Sequence, residues 1–202
     1  MMQMYISNDW ELTVSQVRLA EKYGFSVLAI TVDAQVLGIR KREVKTVLDT
    51  SYLAFPVLEE IQKSSKSIKQ YKDRKALLAN RDLSMTWETI KRIKSLTKLK
   101  IVLKGIMHPK DAIIALDYCD AIWVSNHGGR QLDGISSTIN ILPLIKAAVG
   151  DRIPLLIDGG VRTGNDIFKC LALGATYVLV GRPLAYSLVF GEEGVTKLVT
   201  IL

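Results

Sequence analysis

Five apolar runs punctuate the chain: SVLAITVD (26–33), KIVLKGI (100–106), AIWVSN (121–126), PLLIDGG (154–160) and TYVLVG (176–181). Each is nearly continuous rather than alternating, the pattern of a strand buried on both faces. Such strands need a layer on either side, which crossover helices provide. The chain is therefore expected to be α/β with parallel strands, and its function is expected in the loops that follow the strands' carboxyl ends. A shorter sixth strand is expected at Gln3 to Ile6.

Helical signals fill most of the intervals. Thr13-Val14-Ser15-Gln16 has the Ser/Thr-x-x-Glu/Gln form of a capping box and predicts a helix through Tyr23, stopped by Gly24. Trp87, Ile90, Ile93 and Leu96 lie on one helical face. Pro109 suits a first helical turn and predicts a helix to about Cys119. Further helices are expected over Ile141–Val149, over Asn165–Leu173 with Gly174 as its stop, and over Glu192–Leu202. Residues 40–82 carry charge without clear periodicity, too long for an ordinary connection, and read as a candidate lid. All 202 residues are expected to form one domain.

Charge and composition remove several classes of function. The net charge is +7, but residues 61–104 hold 13 Lys or Arg against Asp73, Asp82 and Glu88, so the surplus is local. That run offers only Tyr71 and Trp87 for stacking and sits in no nucleic-acid-binding motif, so it reads as a solvated face rather than a nucleic-acid site. No apolar stretch reaches the ~20 residues of a membrane span. Cys119 and Cys170 have no partner at metal-ligand spacing, so neither a zinc site nor a disulfide framework is expected. With no leader or terminal address in the chain, the expected location is the cytosol.

The chemistry is expected at three strand ends. Ser125-Asn126-His127-Gly128-Gly129-Arg130-Gln131-Leu132-Asp133-Gly134 follows a buried strand and contains one of two histidines. An imidazole, whose ordinary pKa is about 6.5, three residues before a guanidinium suits a general base beside an anion-binding group. His108, just before Pro109, reads as structural. Asp158-Gly159-Gly160-Val161-Arg162-Thr163-Gly164 and Val180-Gly181-Arg182-Pro183 follow the last two strands, where glycines let backbone N–H groups approach a phosphate. Phosphate sites commonly follow strands seven and eight of (β/α)8 barrels.

SNHGGRQLDG, IDGGVRTGNDIFKCLALGA and LVGRP together resemble the FMN-dependent (S)-2-hydroxy-acid oxidase and dehydrogenase family, with a likeness running from Gln3 to the last helix. The resemblance implies a (β/α)8 TIM barrel, here reduced to about its last six strands, and FMN as cofactor. It implies oxidation of a small (S)-2-hydroxy acid such as glycolate or lactate to the 2-oxo acid, with oxygen as acceptor and hydrogen peroxide as product. Carried over position by position, it makes His127 the base, Asp33 the carboxylate that steadies it, and Tyr5 an active-site phenol. Arg40 and Arg130 become the guanidiniums that hold the substrate carboxylate. Lys104, Gln3 and Thr31 become contacts to the flavin ring, and Asp158, Gly159, Gly160, Arg162, Gly181 and Arg182 contacts to ribityl and phosphate. No metal is implied. Family members form tetramers or larger rings, so a homo-oligomer is expected, and some relatives are peroxisomal.

The chain departs from the family in two places. AQVLGI precedes Arg40 where many members differ, which bears on the substrate. The N-terminal segment and first two barrel strands of the family, with a second substrate-binding tyrosine, are also absent from these 202 residues. Weak or no FMN binding by the chain alone is therefore expected. The alternative is a non-catalytic fragment or isoform that associates with full-length subunits. A phosphate-binding α/β protein of other chemistry is disfavoured by the His-Gly-Gly-Arg loop.

Overall fold

The computed structural model describes residues 1–36, 38, 39, 45, 56–64 and 80–202. Most of the candidate lid, including Arg40, lies outside the described residues. The chain divides into two compact units, Met1–Val102 and Leu103–Leu202.

In the first unit, β1 (Met2–Met4) pairs in parallel with β2 (Val27–Thr31), with Gln3 opposite Ala29. Between them runs α1 (Trp10–Lys22). It begins four residues earlier than the Thr13 signal predicts: its N-cap is Asp9, whose carboxylate accepts the Leu12 N–H. Thr13 is fully buried, and its hydroxyl accepts the Ser7 N–H at 3.0 Å, holding the strand-to-helix connection instead of capping a helix. Among the described residues, two helices follow, α2 (Pro56–Ser64) and α3 (Trp87–Leu96). On α3 the expected face buries Ile90 and Ile93, whereas Trp87 and Leu96 are half-buried. With Leu12, Val17 and Ala20 of α1 and Leu28, Ala29 and Ile30 of β2, these residues make the core of the unit.

The strand β3 (Lys100–Lys104) spans the boundary. Lys100 N–H donates to the Ser26 carbonyl, and beyond the strand Gly105 N–H donates to that of Trp123. The second unit continues with α4 (Pro109–Ala115), β4 (Ala121–Val124), α5 (Thr138–Val149), β5 (Leu155–Ile157), α6 (Gly164–Ala172), β6 (Tyr177–Val178), α7 (Arg182–Ser187) and α8 (Gly191–Ile201). Here β4 pairs with β5 and β5 with β6, both in parallel. Hydrogen-bonded strands neighbour one another in chain order, β1-β2-β3 in the first unit and β3-β4-β5-β6 in the second.

All four residues of β4 and all three of β5 are buried, as their unbroken apolar runs predict. Leu142, Ile145 and Val149, at spacings of three and four, are the fully buried stripe of α5, which packs on α4. Each such side chain contributes about 1.5–3 kcal/mol by leaving water. His108 caps α4, its Nδ1 accepting the Lys110 N–H, as a structural role requires. Both cysteines are free and buried.

The last strand is shorter than its sequence suggests, and Tyr177 on it is 61% exposed. Phe168, Tyr186, Val189, Phe190 and Ile201 of the same unit are also largely exposed. Among the described residues no helix is long and apolar enough to cross a membrane.

Candidate functional site

Carboxyl-terminal strand ends of the second unit converge on one hydroxyl. Ser125, the residue after β4, is fully buried. Its Oγ donates to Asp158, with the two carboxylate oxygens at 2.8 and 2.9 Å, and accepts from Lys104 Nζ at 3.0 Å and from the His127 backbone N–H at 3.2 Å. A hydroxyl has one donor and two acceptor positions, so Ser125 is saturated. The Lys104 ammonium also lies 3.7 Å from Asp158 and 5.1 Å from the centre of the Trp123 ring, with both charged side chains largely buried. Lys104 ends β3, Ser125 follows β4 and Asp158 follows β5, so adjacent parallel strands deliver a cation, a hydroxyl and a carboxylate to one spot. Within the motif the sequence marks Lys104 and Asp158; Ser125, which ties them together, carries no sequence signal beyond its place before Asn-His.

His127 departs from the strand in a left-handed backbone conformation, φ 60°, the one positive φ among the described non-glycine residues. Histidine tolerates this better than most side chains, but it remains uncommon and concentrates at functional loops. The turn is held on both sides. Asn126 Oδ1 accepts the Gly129 N–H, and Arg130 N–H donates to the His127 carbonyl. From the loop after β6, the Arg182 guanidinium donates to the Gly128 carbonyl at 2.8 Å. Arg182 thus clamps the His127 loop, a role its sequence context does not reveal, and Arg130 stands exposed on the same loop.

The glycine loops divide by what surrounds them. Gly159 has φ +102°, and a Cβ there would lie 2.8 Å from Thr138 Oγ1, which itself donates to the Asp158 carbonyl. Its glycine serves close packing. Gly160 and Gly181 face open space, with exposed Arg162 and Arg182 beside them. Two guanidiniums and two unobstructed glycines fit an anion such as a phosphomonoester. The α6 N-terminus contributes less than its position suggests. The Asp166 carboxylate already accepts the backbone N–H groups of Arg162 and Thr163, and the Thr163 hydroxyl. Those bonds, the Arg162 N–H foremost, hold its carboxyl below its ordinary value.

In the first unit, Gln3 and Thr31 meet, the Gln3 amide donating to the Thr31 hydroxyl at 2.7 Å. Tyr5 lies just past β1 and Asp33 just past β2, both half-buried. Thr31, Tyr5 and Asp33 therefore stand at or just past a strand's carboxyl end, and Gln3 lies in the middle of β1.

A family described as FMN-dependent dehydrogenase matches residues 1–202. The chain belongs to that family. Within the FMN-dependent dehydrogenases, it is 42% identical over 205 residues to a 2-hydroxyacid oxidase of Dictyostelium discoideum, covering 99% of this chain and 52% of the relative. Identity is also 42% to human 2-hydroxyacid oxidase 1 and 41% to the peroxisomal (S)-2-hydroxyacid oxidase GLO3 of Arabidopsis thaliana, with 100% of this chain and 56% of each relative covered. Among solved structures, one described as a lactate oxidase of Pediococcus acidilactici superposes with a TM-score of 0.88 at 36% identity, over 99% of this chain and 53% of that one. A mandelate oxidase superposes with a TM-score of 0.82 at 35% identity, over 99% and 55%. The chain spans about half the length of the relatives it matches.

Proposed function

We propose that this chain carries the FMN-phosphate cradle and the proton-accepting loop of a 2-hydroxy-acid oxidase acting on a small (S)-2-hydroxy acid such as glycolate or L-lactate. The observation that carries this reading is the Lys104–Ser125–Asp158 cluster holding the left-handed His127 loop at the ends of β3, β4 and β5. The reaction removes two electrons and two protons from the substrate, leaving a 2-oxo acid. FMN, when bound, supplies the acceptor for the electron pair, and dioxygen as final acceptor yields hydrogen peroxide.

The remaining roles belong to the chain. His127 accepts the hydroxyl proton, and its imidazole direction is set by a turn tied at Ser125, Asn126 and Arg182. Arg130 and Arg40 pair with the substrate carboxylate, where a planar fork matches two oxygens. Tyr5 donates to the substrate and Asp33 steadies the protonated base. Gln3, Thr31 and Lys104 would contact the flavin ring, the last placing a positive charge where reduction builds a negative one. Arg162, Arg182, Gly160 and Gly181 would take the phosphate, with Asp158 and Gly159 behind them.

The test is the visible spectrum of the chain with added FMN, followed by anaerobic glycolate or L-lactate. Bleaching of the flavin band supports the reading. Absence of FMN binding favours a second one, a non-catalytic chain that associates with full-length subunits, for which the exposed apolar side chains of α6, α7 and α8 speak. Self-association into a homo-oligomer uses the same chemistry. For location, the peroxisomal names of two Arabidopsis relatives support a peroxisomal site over a cytosolic one, which a fluorescent fusion distinguishes.

A further inference from the structure

The guanidinium carbon of Arg81 lies 5.0 Å from the centre of the Tyr5 ring, and Arg81 is only 7% exposed. Arginine is seldom buried this far. The backbone accounts for it. Ser7 and Arg81 form an antiparallel bridge. Around it, Asn8 N–H donates to the Asn80 carbonyl and Asp82 N–H to that of Ile6, both at 2.9 Å. The side chains of Asn8 and Asn80 add bonds to the Arg81 carbonyl and the Ser7 hydroxyl. Residues 80–82 are thereby stitched to the extended segment that begins one residue after Tyr5.

Register then decides which side chains meet. Across an antiparallel pair, the residue opposite position 7 shares a face with position 5, the diagonal neighbour, within reach of a long side chain and an aromatic ring. Arg81 and Tyr5 line one small cavity with Thr31 and Gln35. A cation over the negative face of a ring is held more strongly when both are withdrawn from water.

We propose that Arg81 is the positioning residue of Tyr5: its charge, seated on the ring face, fixes the direction of the phenol. The consequence for turnover rests on the substrate-binding role given to Tyr5 above; the positioning itself does not.

The test uses the full chain with ring-13C tyrosine, in which the Tyr5 resonances are those lost in Tyr5→Phe. Arg81→Lys keeps a cation on a shorter stem, and Arg81→Met keeps bulk without charge. The expected result is a wild-type-like Tyr5 signal in the lysine variant and a shifted, motionally averaged one in the methionine variant. A wild-type signal in Arg81→Met, or rescue by methionine and not by lysine, overturns the proposal, since stem packing would then suffice. If Arg81→Met fails to fold by circular dichroism, the lysine variant decides alone, a displaced Tyr5 signal overturning and a retained one supporting. With FMN and glycolate, Arg81→Met lowers kcat/KM roughly tenfold at unchanged FMN affinity, in line with the cost of a misaligned binding group. A chain that binds no FMN counts against the proposed function and leaves the resonance result to judge Arg81.

Discussion

The Ser125 hydroxyl faces both oxygens of the Asp158 carboxylate, at 2.8 and 2.9 Å. This contact joins the ends of β4 and β5 and, through the same oxygen, orders Lys104 and the His127 backbone. Ser125→Ala should therefore leave a buried ammonium and carboxylate with fewer partners and cost about 1–3 kcal/mol, the penalty of unmet buried polar groups. Urea denaturation checks it; a loss below ~0.5 kcal/mol would mean that water replaces the hydroxyl.

Gly159 and Gly160 are adjacent and both left-handed, yet they should respond differently to alanine. At 159 a Cβ meets Thr138 Oγ1 at 2.8 Å, whereas at 160 it meets open space. Strain alone costs of order 1 kcal/mol at each. Gly159→Ala should lower thermal stability clearly further than Gly160→Ala, and Thr138→Val should not restore it, because a methyl of similar size keeps the obstacle and the hydroxyl bond to the Asp158 carbonyl is lost too. Paired melting curves decide.

Arg162→Gln and Arg182→Gln should each weaken FMN binding about tenfold, the worth of a charge-assisted contact to phosphate. Riboflavin, which lacks the phosphate, separates them. Its binding should be untouched by the first change and reduced by the second, because Arg182 also holds the Gly128 carbonyl. Flavin fluorescence titration with both ligands reads this out, and equal losses for FMN and riboflavin at Arg162 would remove it from the phosphate site.

Asp166 ties the start of α6 as a carboxylate, with its pKa depressed below 3.8 by the Arg162 and Thr163 N–H groups and the Thr163 hydroxyl. A depressed acid stabilises the fold above its ordinary pKa and loses that contribution as pH falls through the folded value. Amide exchange at residues 162–166 should accelerate as pH drops below 3.8 after correction for intrinsic rates. Asp166→Asn should show the faster exchange already at neutral pH, with no further acid step.

The side chains of Phe168, Val189 and Phe190 are between 72% and 83% exposed. Such apolar surface should drive concentration-dependent association of the 22.5 kDa chain. Sedimentation of Phe190→Ser against the parent chain tests it; identical monomeric profiles would show that the exposed side chains do not bind a second copy.

Strand identity was readable from sequence because burial on both faces demands unbroken apolar runs, and LLI at β5 and AIWV at β4 have no polar residue to misread. The loops were readable because His127 and the glycines follow those runs directly. The start of α1 was not: a Thr-x-x-Gln spacing looks the same whether the threonine caps a helix or, as here, accepts the Ser7 N–H from inside it. Nor could sequence mark Ser125 as the meeting point of Lys104 and Asp158, which lie 21 and 33 residues away, or set Arg81 apart from the other cations of a basic run. Local periodicity and composition determine which segments become strands and helices. Which hydroxyl saturates a buried charge pair, and which arginine leaves solvent for an aromatic face, depends on register between distant segments, and only the tertiary structure decides that.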